Sequence, residues 1–270
     1  MRRLLPALLA LAAAAPPPPA QSLLPLRQPT KSWILDYGET GCTAIRDYGT
    51  PQKPMALAFR PSPNGKIVRI ALARGGTAPD AHHFPVTLEL GGAPLRTTGL
   101  RFSTKDGKTD VTWINVDRSA LDGLAAAREF TLRGPDAFEA RFALPQMGAV
   151  LKGLDDCIAD LGRYWNIDGA GIPIATPPAP LVAPTGWIRS DDYPSQSLRQ
   201  GEDGATRFIL LVDEAGQVKD CMVEKSSGIA SLDAQACIVV VKRARFHPAL
   251  DSAGKPIRST WSTTVRFQLP

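Results

Sequence analysis

The sequence predicts an α+β protein: a β-rich N-terminal sandwich or barrel closed by a helix, then a three-stranded antiparallel sheet with one packed helix, in the order ββαβ. Three observations carry that reading. Between residues 33 and 144, short alternating apolar runs are separated by Gly-Gly, Asn-Gly and Asp-Gly turn signals. Residues 146–165 carry apolar side chains at three- and four-residue steps, the helical period. From residue 204 onward a strand, a tight turn, a strand, a helix and a strand follow in order.

The first stretch has the pattern of a secretory leader. Arg2 and Arg3 precede an apolar run from Leu4 to Ala15, and small residues and prolines follow up to Ala20. The run falls short of the roughly 20 apolar residues a membrane-crossing helix needs. Residues 1–20 are therefore read as a signal peptide cut at Ala20/Gln21, and the mature protein as periplasmic, with a retained membrane anchor as the minority reading. Net charge is +5 and falls to +3 without the two leader arginines. No basic run is interleaved with aromatics, which argues against a nucleic-acid partner.

An exported chain meets an oxidising compartment, so its four cysteines, Cys42, Cys157, Cys221 and Cys237, are read as disulfides. Four cysteines allow three pairings. They lie two and two on either side of a proline-rich stretch, and domains staple themselves, so Cys42–Cys157 and Cys221–Cys237 are expected. No two have the close spacing of metal ligands.

Residues 21–30 carry little pattern and read as a loose lead-in. Strands are expected at Trp33–Tyr37, Cys42–Arg46, Met55–Arg60, Lys66–Ala73, Phe84–Leu90, Leu100–Ser103, Asp110–Val116, Glu129–Arg133 and Phe138–Leu144. Asn64-Gly65 marks a hairpin turn. Phe84, Val86, Leu88 and Leu90 form one apolar face. Asp117–Arg128, rich in Ala and Leu, is expected to be helical. The helix from Gln146 to Trp165 closes the domain, residues 21–167, with Val150, Leu151, Leu154, Ile158, Leu161 and Trp165 on its inner stripe. A Cys42–Cys157 bond would close a loop of roughly 100 residues and stabilise by about 4–5 kcal/mol.

Residues 168–186, with Pro173, Pro177, Pro178, Pro180 and Pro184, read as a Pro-rich linker in extended backbone. The second domain, residues 187–270, opens with an apolar strand from Thr206 to Val212. Both its faces are apolar, Phe208, Leu210 and Val212 on one and Ile209 and Leu211 on the other, as in a central strand. Asp213 to Gly216 form a turn. Gln217–Glu224, half polar, suits an edge strand. Ser231 is the expected cap of a helix with Asp233 in its first turn, Leu232, Ala236, Val239 and Val240 as its apolar stripe, and Lys242, Arg243 and Arg245 at its end. In the last strand Trp261, Thr263, Val265, Phe267 and Leu269 alternate with Ser262, Thr264, Arg266 and Gln268. An apolar central strand makes this one the other edge of the sheet.

Tyr193-Pro194, Gly204, Val212 to Gly216, Val223 leading to Ser226-Ser227-Gly228, Leu232-Asp233, Ala244-Arg245-Phe246 with Pro248-Ala249, Gly254 to Ile257 and Val265-Arg266-Phe267 stand in that order. The set resembles the C-terminal domain of the TonB family of periplasmic energy transducers, over about the last 80 residues. That resemblance implies a domain that accepts a short segment of an outer-membrane receptor by β-strand addition in energy-coupled transport. It implies that Tyr193 and Pro194 help hold the partner, and that Trp261, Ser262, Thr263, Thr264, Val265, Arg266 and Phe267, through Gln268, supply the pairing edge. The chain departs from the full transducer: a folded domain and a brief linker stand where that family has a long Pro-, Lys- and Glu-rich rod. In the first domain an early Trp, an early Cys and a late strand leading through Leu151-Lys152-Gly153 into a helix resemble the invasion-associated locus B family of periplasmic proteins. This second resemblance bears on fold class only.

The remaining motifs read more plainly. His82-His83 with Asp80 is read as a solvated loop rather than a metal site. His247 packs or faces water. No Gly-x-Ser-x-Gly context surrounds a serine, Ser226-Ser227-Gly228 lacks the Lys-Ser/Thr of a phosphate loop, and Trp33, Trp113 and Trp165 read as core. No enzyme and no cofactor are expected. The partner is a receptor or another envelope protein. The alternative is an envelope scaffold or stress protein whose second domain self-associates as a homodimer or binds the cell wall, without energy transduction.

Overall fold

A computed structural model describes residues 24–78, 81–135 and 138–269. The expected leader and Asp80 lie outside the described residues. Among the described residues, ten strands form one sheet in the N-terminal domain: β1 (Leu26–Arg27), β2 (Ile34–Gly38), β3 (Gly41–Asp47), β4 (Met55–Pro61), β5 (Ile67–Gly75), β6 (His82–Glu89), β7 (Leu95–Ser103), β8 (Thr109–Asp117), β9 (Glu129–Arg133) and β10 (Glu139–Ala143). Their spatial order is β1-β10-β9-β6-β7-β8-β5-β4-β3-β2, antiparallel except for β1 on β10. The sheet curls until its ends meet. Tyr48 Oη, just after β3, donates to Ala143 O of β10 at 2.7 Å, and Trp33 Nε1 and Arg46 Nη1 both donate to Pro145 O, at 3.1 and 3.2 Å. The strands therefore form one curled sheet rather than two stacked ones.

Strict alternation explains the curl's inside and outside. Leu57, Phe59, Val68, Ile70, Leu72, Phe84, Val86, Leu88, Ile114 and Val116 point inward and are buried. Helix α1 (Met147–Tyr164) lays Val150, Leu151 and Leu154 against them, and Cys157 is bonded to Cys42 of β3. A fully buried Leu or Phe stabilises by about 1.5–3 kcal/mol, so this core carries the domain. At Asn64-Gly65 the turn is the one expected: Gly65 has φ +69°, a left-handed value that suits glycine.

Four expectations for this half are corrected. The lead-in is docked from its first described residues, because β1 adds to β10 and Thr30 N donates to Asp47 O at 2.9 Å. Residues 118–125 form a 3-10 helix rather than an α-helix, with Leu121 and Leu124 buried; Gly123 between them disfavours a longer α-helical run. His82-His83 is not a solvated loop but the start of β6, and His83 lies against the second domain. The Pro-rich stretch does not span between separated domains. Its strand β11 (Ala179–Pro180) is paired with the second domain, and Ala175 N, Thr176 N and Leu181 N donate to carbonyls of Leu250, Leu250 and Arg245.

The C-terminal domain continues with α2 (Ser195–Gln200), β12 (Gly204–Val212), β13 (Val218–Lys225), α3 (Ala230–Arg243), the short strands β14 (Phe246–His247), β15 (Ala249–Leu250) and β16 (Pro256–Ile257), and β17 (Ser259–Phe267). The sheet order is β13-β12-β17, antiparallel throughout. Strand β11 lies on β14, and β15 on β16. At the β12–β13 turn a Cβ on Gly216, whose φ is +73°, would sit 1.9 Å from Phe246 O, so the position accepts only glycine. Ser231 is not the cap of α3. The helix starts at Ala230, with the cap position two residues earlier than expected, at Ile229, and Ser231 Oγ bonds Ser197 Oγ of α2 at 2.5 Å. Cys221 and Cys237 are bonded, joining β13 to α3. Among the described residues no helix is long and apolar enough to cross a membrane.

Candidate partner-binding groove

Strand β17 is an edge. Its inner side runs along β12 from Ser259↔Val212 to Phe267↔Gly204, and among the described residues no strand lies on its outer side. Its side chains alternate as the sequence implied: Val265 and Phe267 are buried toward α3, while Ser262, Thr264, Arg266 and Gln268 are exposed.

Beside that outer edge runs a wall made of residues 184–193. A 3-10 turn at Pro184–Gly186, opened by a proline, starts it, and a second at Ser190–Asp192 ends it. Between the wall and the edge lies a groove of about 440 Å³, lined by Pro184, Thr185, Ile188, Arg189, Ser190 and Tyr193 on one side and by residues 264–268 on the other. Residues 264–267 of β17 point alternately to two faces of the sheet, and Gln268 follows just beyond the strand. All five can line one groove only if the groove follows the strand's edge, where free N–H and C=O groups lie.

The wall is anchored from behind, not by pairing with β17. Trp187 is 2% exposed, with its ring centroid 5.8 Å from Phe246 and 5.4 Å from Trp261. Arg243, in the last turn of α3, donates to Trp187 O at 3.1 Å and holds Asp192 in a two-pronged ion pair, Nη2 to Oδ1 at 2.8 Å and Nη1 to Oδ2. Asp192 also accepts from Arg189 N at 2.8 Å. Burial alone would raise the Asp192 carboxyl, but the Arg243 guanidinium and the Arg189 amide hold it below its ordinary value. Tyr193 stands at the end of the wall with its ring edge-on to Phe267 at 5.5 Å, its hydroxyl donating to Glu202 O. Burial, with Asp203 and Glu202 nearby, pushes its phenol up.

The groove thus brings together five of the nine residues expected to hold a partner: Tyr193, Thr264, Val265, Arg266 and Phe267. The other four sit elsewhere. Pro194 occupies the cap position of α2, where its carbonyl accepts from Leu198 N at 2.9 Å. Trp261 packs on Trp187 and Phe246. Thr263 is half-buried, its place in the alternation putting it on the α3 side, and Ser262 lines a separate hollow shared with the N-terminal domain. Of the wall, residues 184–186 fall in the stretch read as linker and residues 187–190 at the start of the second domain, ahead of its first expected strand; the one available signal was Trp187, a large apolar residue too costly to leave in water.

His83 Nε2 lies 4.0 Å from Asp233 Oδ2 and 3.4 Å from Ser226 Oγ, outside the groove. Asp233 accepts from Thr206 Oγ1 at 2.6 Å, from Ser227 N at 2.8 Å and from Ser226 Oγ, so Ser226-Ser227-Gly228 is tied to the start of α3 as turn structure. Among the described residues no group of three His, Cys, Asp or Glu side chains is placed to hold a metal ion.

Residues 190–269 match the family model described as Gram-negative bacterial TonB protein C-terminal, so the chain carries a C-terminal domain of the TonB family. That family works in the cell envelope, as transducers rather than enzymes. No curated protein matches the chain.

Proposed function

We propose that this is a periplasmic protein whose C-terminal domain accepts an extended segment of an outer-membrane receptor by strand addition to β17, in energy-coupled transport. The observation that carries the reading is the groove along the outer edge of β17. An unpaired edge gives main-chain hydrogen bonds to any extended segment, each worth about 0.5–1.5 kcal/mol net. The wall limits which segments fit, with Ile188 and Tyr193 offering apolar surface and Arg189 and Arg266 offering cationic surface to the groove. Energy coupling is the finer part of the proposal. The docked N-terminal domain favours a second reading in which binding is kept and transduction is not, since the Pro-rich stretch runs along the second domain instead of reaching outward.

A fluorescent peptide from the periplasmic N-terminal segment of an outer-membrane receptor, titrated with the full chain, tests the binding. Ser190→Trp fills the groove from the wall and leaves the β12–β17 ladder intact. Val265→Pro is a harsher test, because Val265 is also a core residue. Binding weakened at least tenfold in Ser190→Trp at unchanged melting temperature is the expected result. No binding by the unaltered chain, or equal binding by Ser190→Trp, refutes the reading.

A further inference from the structure

We propose that the N-terminal domain is an intramolecular cover: it withholds the β13 edge and the second face of the C-terminal sheet from partners, leaving β17 as the edge that accepts a strand. The proposal goes beyond strand addition at β17 and concerns the peptide-free chain.

Strand β12 is apolar on both faces. Phe208, Leu210 and Val212 meet α3, while Ile209 and Leu211, with Met222 of β13, are 3%, 1% and 4% exposed on the other side. What buries Leu211 is the far end of α1 and the turn after it: Leu161, Trp165 and Ile167. Trp165 Nε1 is itself fixed to Glu39 O at 2.8 Å, and Arg258, just before β17, lies over the Tyr164 ring at 3.8 Å. Asn166 Nδ2 donates to Arg258 O at 2.7 Å.

Charge completes the fit. The N-terminal domain brings Arg60 against Asp220 of β13 at 2.6 Å and Asn64 Nδ2 against Glu224 at 2.8 Å. Arg69, half-buried and 4.3 Å over the Trp113 ring, is near enough for the charges of Asp220 and Asp233 to favour its charged form. Complementary charge of this kind fixes register as well as attraction. At the edge itself Asn115 Nδ2 donates to Val223 O at 3.2 Å, taking a backbone acceptor of β13. An uncovered strand of this length, beside Ile209, Leu211 and Met222, would be a template for another chain.

The test uses the full chain carrying Arg60→Glu and Asn64→Asp, which set two acids against Asp220 and Glu224. Hydrogen exchange and light-scattering mass are read together. The expected result is exchange at least tenfold faster across Val218–Lys225, unchanged protection of β4 and β5, and a mass at 100 μM above that of the unaltered chain. Unchanged exchange overturns the proposal, and so does faster exchange at unaltered mass. Should β4 and β5 lose protection, Asn115→Ala decides: exchange at least threefold faster across Val218–Lys225 supports the cover, and unchanged rates overturn it. Failure of peptide binding to β17 leaves these outcomes untouched.

Discussion

Replacing Trp187 by Ala separates what holds the groove's wall from what forms its floor. The ring is 2% exposed and sits between Phe246 and Trp261. Truncating a buried Trp to Ala costs about 3–5 kcal/mol through lost transfer energy and the cavity left behind. With a urea slope of about 1.5 kcal/mol per M, the midpoint of the C-terminal domain should fall by about 2–3 M. The wall should also loosen, because no backbone pairing with β17 replaces the ring; what remains is Arg243 on Asp192 and on the carbonyl of residue 187, with the Tyr193 hydroxyl on Glu202 O. Urea unfolding followed by the far-ultraviolet signal measures the first effect, and hydrogen exchange at Ile188–Tyr193 the second. Peptide affinity should drop at least tenfold with the wall. A midpoint shift under 0.5 M would refute the packing argument. Unchanged affinity with a mobile wall would refute the role of the wall.

Two further outcomes follow from the same structure. Removing the Cys42–Cys157 bond by the paired Ser substitutions opens a loop of sequence separation 115 and should cost about 4–5 kcal/mol in urea unfolding, with no further loss when reductant is added to a chain also lacking Cys221–Cys237. Burial lowers the His83 pKa below 6.5, opposed by Asp233 and the Gly228 backbone and assisted by His82; its contribution is therefore present above pH 6.5 and lost as pH falls through the lowered value, so the unaltered chain should lose more stability than His83→Gln between pH 7.5 and 5, and parallel curves would refute it.

Much of the fold is legible in the sequence. The alternation Phe84, Val86, Leu88, Leu90 named a buried face because side chains on a strand point alternately to two sides, and all four are buried. The two disulfides followed from their distribution about the Pro-rich stretch. The misreadings share a cause. Residues 118–125 have the composition of an α-helix, yet they fold as a short 3-10 helix with Leu121 and Leu124 buried and Gly123, a poor helix former, between them. Ser231 has the chemistry of a cap, but α3 begins before it and its hydroxyl is taken by Ser197. Pro180 lies in extended backbone as expected while Pro184 opens a 3-10 turn, and extended backbone is as able to lie on a neighbouring strand as to bridge two domains.

Local pattern alone established the ladder of faces, the turn at Gly216, the edge position of β17 and the likeness of the last 80 residues to TonB C-terminal domains. It did so because period, turn chemistry and motif order are properties of neighbouring residues. The second apolar face of β12 announced that something covers it, but not what. That the cover is the end of α1, that Arg60 and Asn64 meet Asp220 and Glu224, and that Trp187 swings residues 184–193 alongside β17 to make a groove were decided by the folded chain. Those contacts join residues up to 160 positions apart, and hydrophobic burial, being non-directional, leaves their partners unspecified until the whole chain is packed.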